Sequence, residues 1–362
     1  MCRWLPVLAC SGLLLLGGFA NGQAQTTPDQ PAPSAADAPP ADAQTTPTTT
    51  LQVRTQLVLV PTTVEAGKDV LYGLTASQFV VEDNGVRQKV RLEETEGDVR
   101  PLSLVVVVQC SRSAEREFPK LRGLDTMIDA LTGDAPAEVA VIQFGTGEEL
   151  LTGFTRDENV RNRALDRIAP CDYDNGDTIY DAVEYANTVL DAHHAQGRRA
   201  VLLISETRDH GSETKPEVVI HELGRSNTVV DAVSFGPGKD DMLDDLKYGG
   251  GGGPLSLLIM AVEAVRKNAP KEFANLSGGE YINFTTQKGF DKGLSALSNH
   301  VHNFYMLSFQ PRFPPDASGS NTAAPGLHKL VVKIPEYPSA TVRHRESYWE
   351  SGPDAADTPA TP

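Results

Sequence analysis

The period of the hydrophobic positions changes twice along the chain. From Leu51 to Glu96 it is that of strands: Gln52 to Val64 mixes alternation with the run Leu57-Val58-Leu59-Val60, as expected for a strand covered on both faces or nearly so. Phe79-Val80-Val81-Glu82 and Val86 to Leu92 flank Asp83-Asn84-Gly85. Asn-Gly between such runs predicts a hairpin, because both residues tolerate positive φ. From Pro101 strands alternate with helices. Leu102 to Val108, Val139 to Phe144, Ala200 to Ser205 and Val229 to Phe235 are unbroken apolar runs, and Tyr281 to Phe284 is a shorter one. Runs of that kind mark parallel strands covered on both faces. Helical spacing links Phe118, Leu121, Leu124, Ile128 and Leu131, then Ile179, Val183, Ala186 and Leu190. Further helices are expected from about Leu255 to Leu276 and through Phe290, Leu294, Leu297 and Val301. Phe304 to Gln310, Leu327 to Ile334 and Ala340 to Trp349 return to the strand pattern. The order predicts an α/β fold with a doubly wound, mostly parallel Rossmann-like sheet. Neither flanking strand region makes a core alone, so the N- and C-terminal segments are expected to form one small accessory β module.

The two ends of the chain add location. Arg3 precedes an apolar run from Leu5 to Leu16, and small residues recur at Ala20, Gly22 and Ala24. That order reads as a secretory signal peptide over residues 1–24, because the run falls short of the roughly 20 residues needed to span a bilayer. No second segment is expected to cross a membrane once the signal is cleaved, so the mature chain is periplasmic or secreted. Residues 25–50 and 351–362 are rich in Pro, Ala and Thr and poor in large apolar side chains, a composition that does not support a packed core. Between them lie an N-terminal β segment (51–98), an α/β domain (99–302) and a C-terminal β segment (303–350). Loss of Arg3 takes the formal charge from -16 to -17, which argues against nucleic acid as a partner. Of the four cysteines only Cys110 and Cys171 survive cleavage, and an even pair in an oxidising compartment favours a disulfide.

Three loops at expected strand carboxyl ends carry hydroxyl and acidic residues: Gln109-Cys110-Ser111-Arg112-Ser113, the stretch around Asp177-Thr178, and Ser205-Glu206-Thr207-Arg208-Asp209. Ligands of open α/β sheets bind at such ends. The layout resembles the von Willebrand factor A-type domain and its metal-ion-dependent adhesion site. In that family Asp-x-Ser-x-Ser, a later Thr and an Asp after the fourth strand coordinate Mg²⁺. Gly73-Leu74-Thr75-Ala76-Ser77-Gln78-Phe79, Tyr305-Met306-Leu307-Ser308-Phe309 and Arg345-Glu346-Ser347-Tyr348-Trp349 extend the resemblance to exported bacterial proteins with an acidobacterial VWFA-related domain.

The resemblance places Ser111, Ser113, Thr178 and Glu206 as the metal ligands, but with departures. Gln109 stands at the first Asp, Arg112 at the usual Gly and Glu206 at the last Asp. One unit charge about 4 Å away is worth roughly 4 kcal/mol at an effective dielectric near 20, so the exchange works against a hard cation that favours carboxylates. Two outcomes stay open: no metal, with Arg112 paired to Glu206 or Asp209 as the positive centre, or Mg²⁺ or Mn²⁺ held weakly. A Cys110–Cys171 disulfide would join the two loops that the family's metal draws together. No catalytic residues are expected: there is no Gly-x-Ser-x-Gly elbow, and a hydrolase is the remote reading. Gly249 to Gly253 lacks the Gly-Lys-Ser/Thr ending of a phosphate loop and reads as an insertion on the same face. The function expected is extracytoplasmic adhesion or protein–protein interaction, with Gln109, Ser111, Arg112, Ser113, Asp177, Thr178, Glu206 and Asp209 on the binding face and an unidentified protein as partner.

Overall fold

The computed structural model describes residues 57–67, 69–93, 101–121, 123–133, 136–171, 176–194, 197–235, 253–286, 288–291, 293, 297, 304–313 and 324–351. The expected signal, the Pro-rich segment, the Gly-rich insertion and most of the helix expected over Phe290 to Val301 lie outside them. In chain order the first strands are β1 (Val58–Ala66), β2 (Asp69–Val70), β3 (Val80–Asp83), β4 (Val86–Arg87) and β5 (Val90–Leu92). The α/β part contains β6 (Leu102–Gln109), α1 (Leu124–Thr132), β7 (Ala137–Phe144), β8 (Glu148–Thr155), α2 (Glu158–Leu165), α3 (Ile179–Ala192), β9 (Arg198–Ser205), α4 (Pro216–Ser226), β10 (Val229–Phe235), α5 (Pro254–Lys267), α6 (Ala269–Ser277) and β11 (Tyr281–Phe284). The chain closes with β12 (Tyr305–Phe309), β13 (Gly326–Lys333), β14 (Thr341–His344) and β15 (Ser347–Glu350).

The central sheet has the order β11-β10-β9-β6-β7-β8, parallel except for β8. All eight residues of β6 are buried. Its alternate side chains serve two cores: Val105 and Val107 pack with α3, α4, α5 and α6 on one face, and Leu104, Val106 and Val108 with α1 on the other. The fold is a doubly wound, mostly parallel α/β sheet with an accessory β module.

Several local expectations change. Edge strand β8 and helix α2 were not anticipated, because Glu148-Glu149-Leu150-Leu151-Thr152-Gly153 carries no long apolar run; in β8 only Leu151 is buried. Nor was α4, which fills the gap between β9 and β10. The single helix expected from Leu255 to Leu276 is two, since Pro270 cannot sit in a helix interior. Asn268 ends the first and caps the second, accepting from Lys271 N at 3.1 Å. Phe118 to Leu121 form a 3₁₀ turn, and α1 starts after Gly123, whose φ is +95°.

The accessory module is made from both ends of the chain. One sheet runs β14-β1-β12-β5 with β2 beside β1, the other β15-β13-β3-β4. They enclose a core that includes Val60, Val64, Phe79, Val81, Leu307, Phe309 and Leu330. Asn84 and Gly85 take φ of +47° and +83° in the hairpin between β3 and β4, as its sequence requires. The strand expected over Ala340 to Trp349 is instead two strands in different sheets, turning at Arg345-Glu346.

That turn carries a clamp. Arg345 is 3% exposed and donates to Ser347 O (2.7 Å), Asn227 Oδ1 (2.5 Å) and Gly224 O (2.7 Å), tying the module to the end of α4. A second buried network joins Asp83, His328 and Tyr348. The tyrosine hydroxyl donates to Asp83 Oδ2 at 2.6 Å. His328 lies 2.7 Å from both Asp83 Oδ1 and Ala324 O. Both ring nitrogens therefore face acceptors, which only the imidazolium satisfies. Burial lowers the His328 pKa, but the Asp83 hydrogen bond and charge and the Ala324 carbonyl outweigh it and raise it above the usual value.

Two outcomes follow. Arg345→Ala strands several buried carbonyls and is expected to lower unfolding free energy by about 3 kcal/mol or more, read by urea denaturation. Because the His328 pKa is raised on folding, its contribution is full below the unfolded value of roughly 6.5 and is lost as pH rises through the folded value. Urea midpoints should fall across that window, and His328→Asn should flatten the dependence.

Candidate functional site

At the carboxyl end of the sheet, β6 delivers Gln109 as its last residue, fully buried. Its side-chain amide is the centre of the loop cluster. Nε2 lies 2.8 Å from Ser111 Oγ and 3.0 Å from Ser113 Oγ, and also donates to Asp177 Oδ1. On the other side Gln109 Oε1 accepts from Glu206 N at 2.7 Å, which orients the amide. Ser111 Oγ donates in turn to Asp177 Oδ1 at 2.5 Å. Three loops thus meet on one amide group.

Asp177 and Thr178 reach this cluster through backbone pairing. Asp177 exchanges two backbone hydrogen bonds with His210, at 2.9 Å each. Thr178 does not point at the amide. Its hydroxyl lies 3.0 Å from Gly145 O and 3.1 Å from Glu148 Oε1. Asp209 is turned to the start of α3, accepting from Tyr180 N at 3.1 Å and Ser212 Oγ at 2.5 Å. Glu206 hydrogen-bonds Asp177 and Ser113. Burial, reinforced by the bond to and the charge of Asp177, raises its carboxyl to about 7.

The expected pairing of Arg112 with Glu206 or Asp209 is not formed. Arg112 is exposed at the start of a 3₁₀ turn, and no described acidic group lies in ion-pair range of it. The reason is local geometry: Gln109, Ser111 and Ser113 face inward, so the intervening side chain is carried outward. Cys110 and Cys171 are disulfide-bonded with their Cα atoms 5.3 Å apart. Cys171 N also donates to Cys110 O at 2.9 Å, so the loop before Thr178 is fastened to the first loop twice. The oxygens available to a cation are those of Ser111, Ser113, Asp177 and Glu206, with Thr178 and Glu148 adjacent.

Glu148 was missed in the sequence because β8 was missed. Its signal was its place in Gly145-Thr146-Gly147-Glu148, directly after a buried strand. Burial, partly offset by the Thr178 hydroxyl, raises its pKa. Removing the Cys110–Cys171 bond by a double Ser substitution is expected to lower unfolding free energy by about 4 kcal/mol for a loop of this separation in the chain-entropy model. Denaturant titration, with and without reductant on the native protein, measures it.

A family model described as the von Willebrand factor type A domain matches residues 104–208, the span from β6 to the loop after β9. Proximal thread matrix protein 1 from the mussel byssus is 15% identical over 57% of this chain and 47% of that one, with a TM-score of 0.40. The chain thus spans less than half of that protein's length. BatB from Bacteroides thetaiotaomicron is 17% identical over 55% of this chain and 99% of that one (TM-score 0.38). The vWF domain of the type V pili tip protein Mfa5 from Porphyromonas gingivalis is 8% identical over 57% and 96% (TM-score 0.37). No curated protein matches the chain. With the site at the carboxyl ends of a doubly wound sheet and the family match laid across it, the chain contains a von Willebrand factor type A domain.

Proposed function

We propose that this chain is an extracytoplasmic protein-binding or adhesion module that uses the von Willebrand factor A face without a tightly held metal. The observation that carries the reading is the Gln109 amide, whose nitrogen stands against the oxygens of Ser111, Ser113 and Asp177. A divalent cation at that point needs lone pairs aimed at it, whereas an amide nitrogen presents hydrogens. Glu206 binds a proton more tightly than an ordinary carboxyl, and Thr178 is engaged elsewhere. The residues therefore fit a divalent ion poorly. Gln109 ties the loops by hydrogen bonds, and the disulfide adds a covalent tie. Arg112, outward and exposed, is left to receive a partner carboxylate, for which a guanidinium has bidentate geometry.

The remaining assignments belong to the same reading. Residues 1–24 act as the export signal, 99–302 as the binding domain, and 51–98 with 303–350 as the supporting module, tethered by 25–50 and 351–362. The flanking motifs ally the chain with exported proteins bearing an acidobacterial VWFA-related domain. No residue is assigned to catalysis.

The native protein is expected to show no thermal shift with Mg²⁺ or Mn²⁺, whereas Gln109→Asp, restoring the family's carboxylate, gains an upward shift. A clear shift in the native protein that Ser111→Ala abolishes would overturn the metal-free reading and favour weak Mg²⁺ or Mn²⁺ binding. Capture of a partner from an extracytoplasmic extract should be lost in Arg112→Ala; equal capture by both would remove Arg112 from the face.

A further inference from the structure

Helix α5 begins and ends at opposite ends of the domain. Its end is held at the carboxyl edge of the sheet, where Ala269 N donates to Thr207 O, in the loop after β9, at 2.9 Å. Its 14 residues carry the chain about 21 Å at a rise of roughly 1.5 Å each. Its start lies beside the accessory module: a Cβ added to Gly326, which opens β13, would stand 2.9 Å from Pro254 Cβ. Strand β10 ends at Phe235, paired with Phe284 at the carboxyl edge. The chain between Phe235 and Pro254 therefore leaves from the carboxyl edge and returns at the far end of α5, and has to travel the length of that helix.

One side of α5 is open. Leu257, Ala261, Val262 and Val265 belong to the core that α4 and α6 share, but Leu255 and Ile259, one turn apart, are 70% and 57% exposed. The intervening sequence has the complementary pattern. Met242, Leu243 and Leu246 recur at helical spacing, and Asp240, Asp241, Asp244 and Asp245 fall on the other side of such a helix. Acidic residues at its start and Lys247 just before Gly249 are helix start and stop signals. Gly249 to Gly253 join this stretch to α5, within the roughly two to five residues that connect antiparallel helices. Counting outward from those glycines in an antiparallel pair, Leu246 falls opposite Leu255 and Met242 opposite Ile259.

We propose that the Leu255–Ile259 ridge of α5 is a docking surface for the chain's own residues 240–248, which lie antiparallel on it with Leu246 against Leu255 and Met242 against Ile259. Two observations select this occupant: the chain has to pass along α5 to reach its start, and the apolar positions of the passing stretch match the exposed ones in spacing and register. Docking replaces an apolar ridge by an acidic surface, since the four aspartates then face outward. The inference stands independently of the function proposed for the Gln109 cluster.

Amide hydrogen exchange of the native full chain, read by mass spectrometry, tests this. The amides of residues 242–248 are expected to exchange about tenfold or more slowly than in the free peptide of the same sequence. Leu255→Ser with Ile259→Ser should return them to the free-peptide rate. Both positions are exposed, so the urea midpoint of this variant should stay near the native one. Met242→Ser with Leu246→Ser reads the same contact from the other side, should the first variant fail to fold. Free-peptide exchange of 242–248 in the native chain overturns the proposal, as does protection that survives in either folded variant. Protection that grows with protein concentration also overturns it, in favour of a second copy of the chain on the ridge.

Discussion

Strand β6 is buried along its whole length, with a neighbour on each edge and a helical layer on each face. Burying a valine side chain is worth roughly 1.5–3 kcal/mol, and four consecutive valines are divided between the two cores. A strand enclosed on all sides has one exit, at its end. Gln109 is that end, so its side chain is set in the middle of the sheet's carboxyl edge. The loops after β7 and β9, its two neighbours, emerge beside it. The meeting of residues 109–113, 145–148, 177–178 and 205–209 follows from the enclosure of this strand.

What the loops do on meeting is a matter of charge. A carboxylate at position 109 would stand against Asp177 and Glu206 and would call for a cation. The amide removes one negative charge and supplies N–H donors at the same place. The neighbouring carboxyls remain close, and burial, then the bond to and the charge of Asp177, raises the pKa of Glu206. Polar networks inside a low-dielectric site are stabilising only when their members are satisfied. Here Gln109, Ser111, Ser113 and Asp177 satisfy one another, and the Cys110–Cys171 bond holds the loops in the positions this requires.

The accessory module is a structural consequence of the same chain closing on itself. β1 pairs with β12 and β14, and β3 with β13, so both flanks are needed for either sheet. Arg345 binds the closed module to α4. At Gly224 the approach of α4 to β15 is close enough that a Cβ would lie 2.9 Å from Trp349 N. β13 and β15 pack on helices α5 and α4, while β1 and β12 lie by the start of β6 and β9, away from the loops around Gln109.

Much of this was legible in the sequence. The apolar runs of β6, β7, β9 and β10 name the strands, because a stretch with no polar face can only be covered on both sides. Asn84-Gly85 names its turn through the φ it needs. The hydroxyl and acidic residues around 109, 178 and 206 mark the loops. Other features were not legible. β8 and Glu148 escaped because an edge strand needs no hydrophobic run. Arg112 was expected inward and stands outward, and Asp177 became the shared acceptor of Gln109 and Ser111, 68 and 66 residues away in the chain. Periodicity and turn chemistry are local and can be read from neighbouring residues. Where a side chain points, and which distant group it meets, is decided only when the sheet brings its strand ends together.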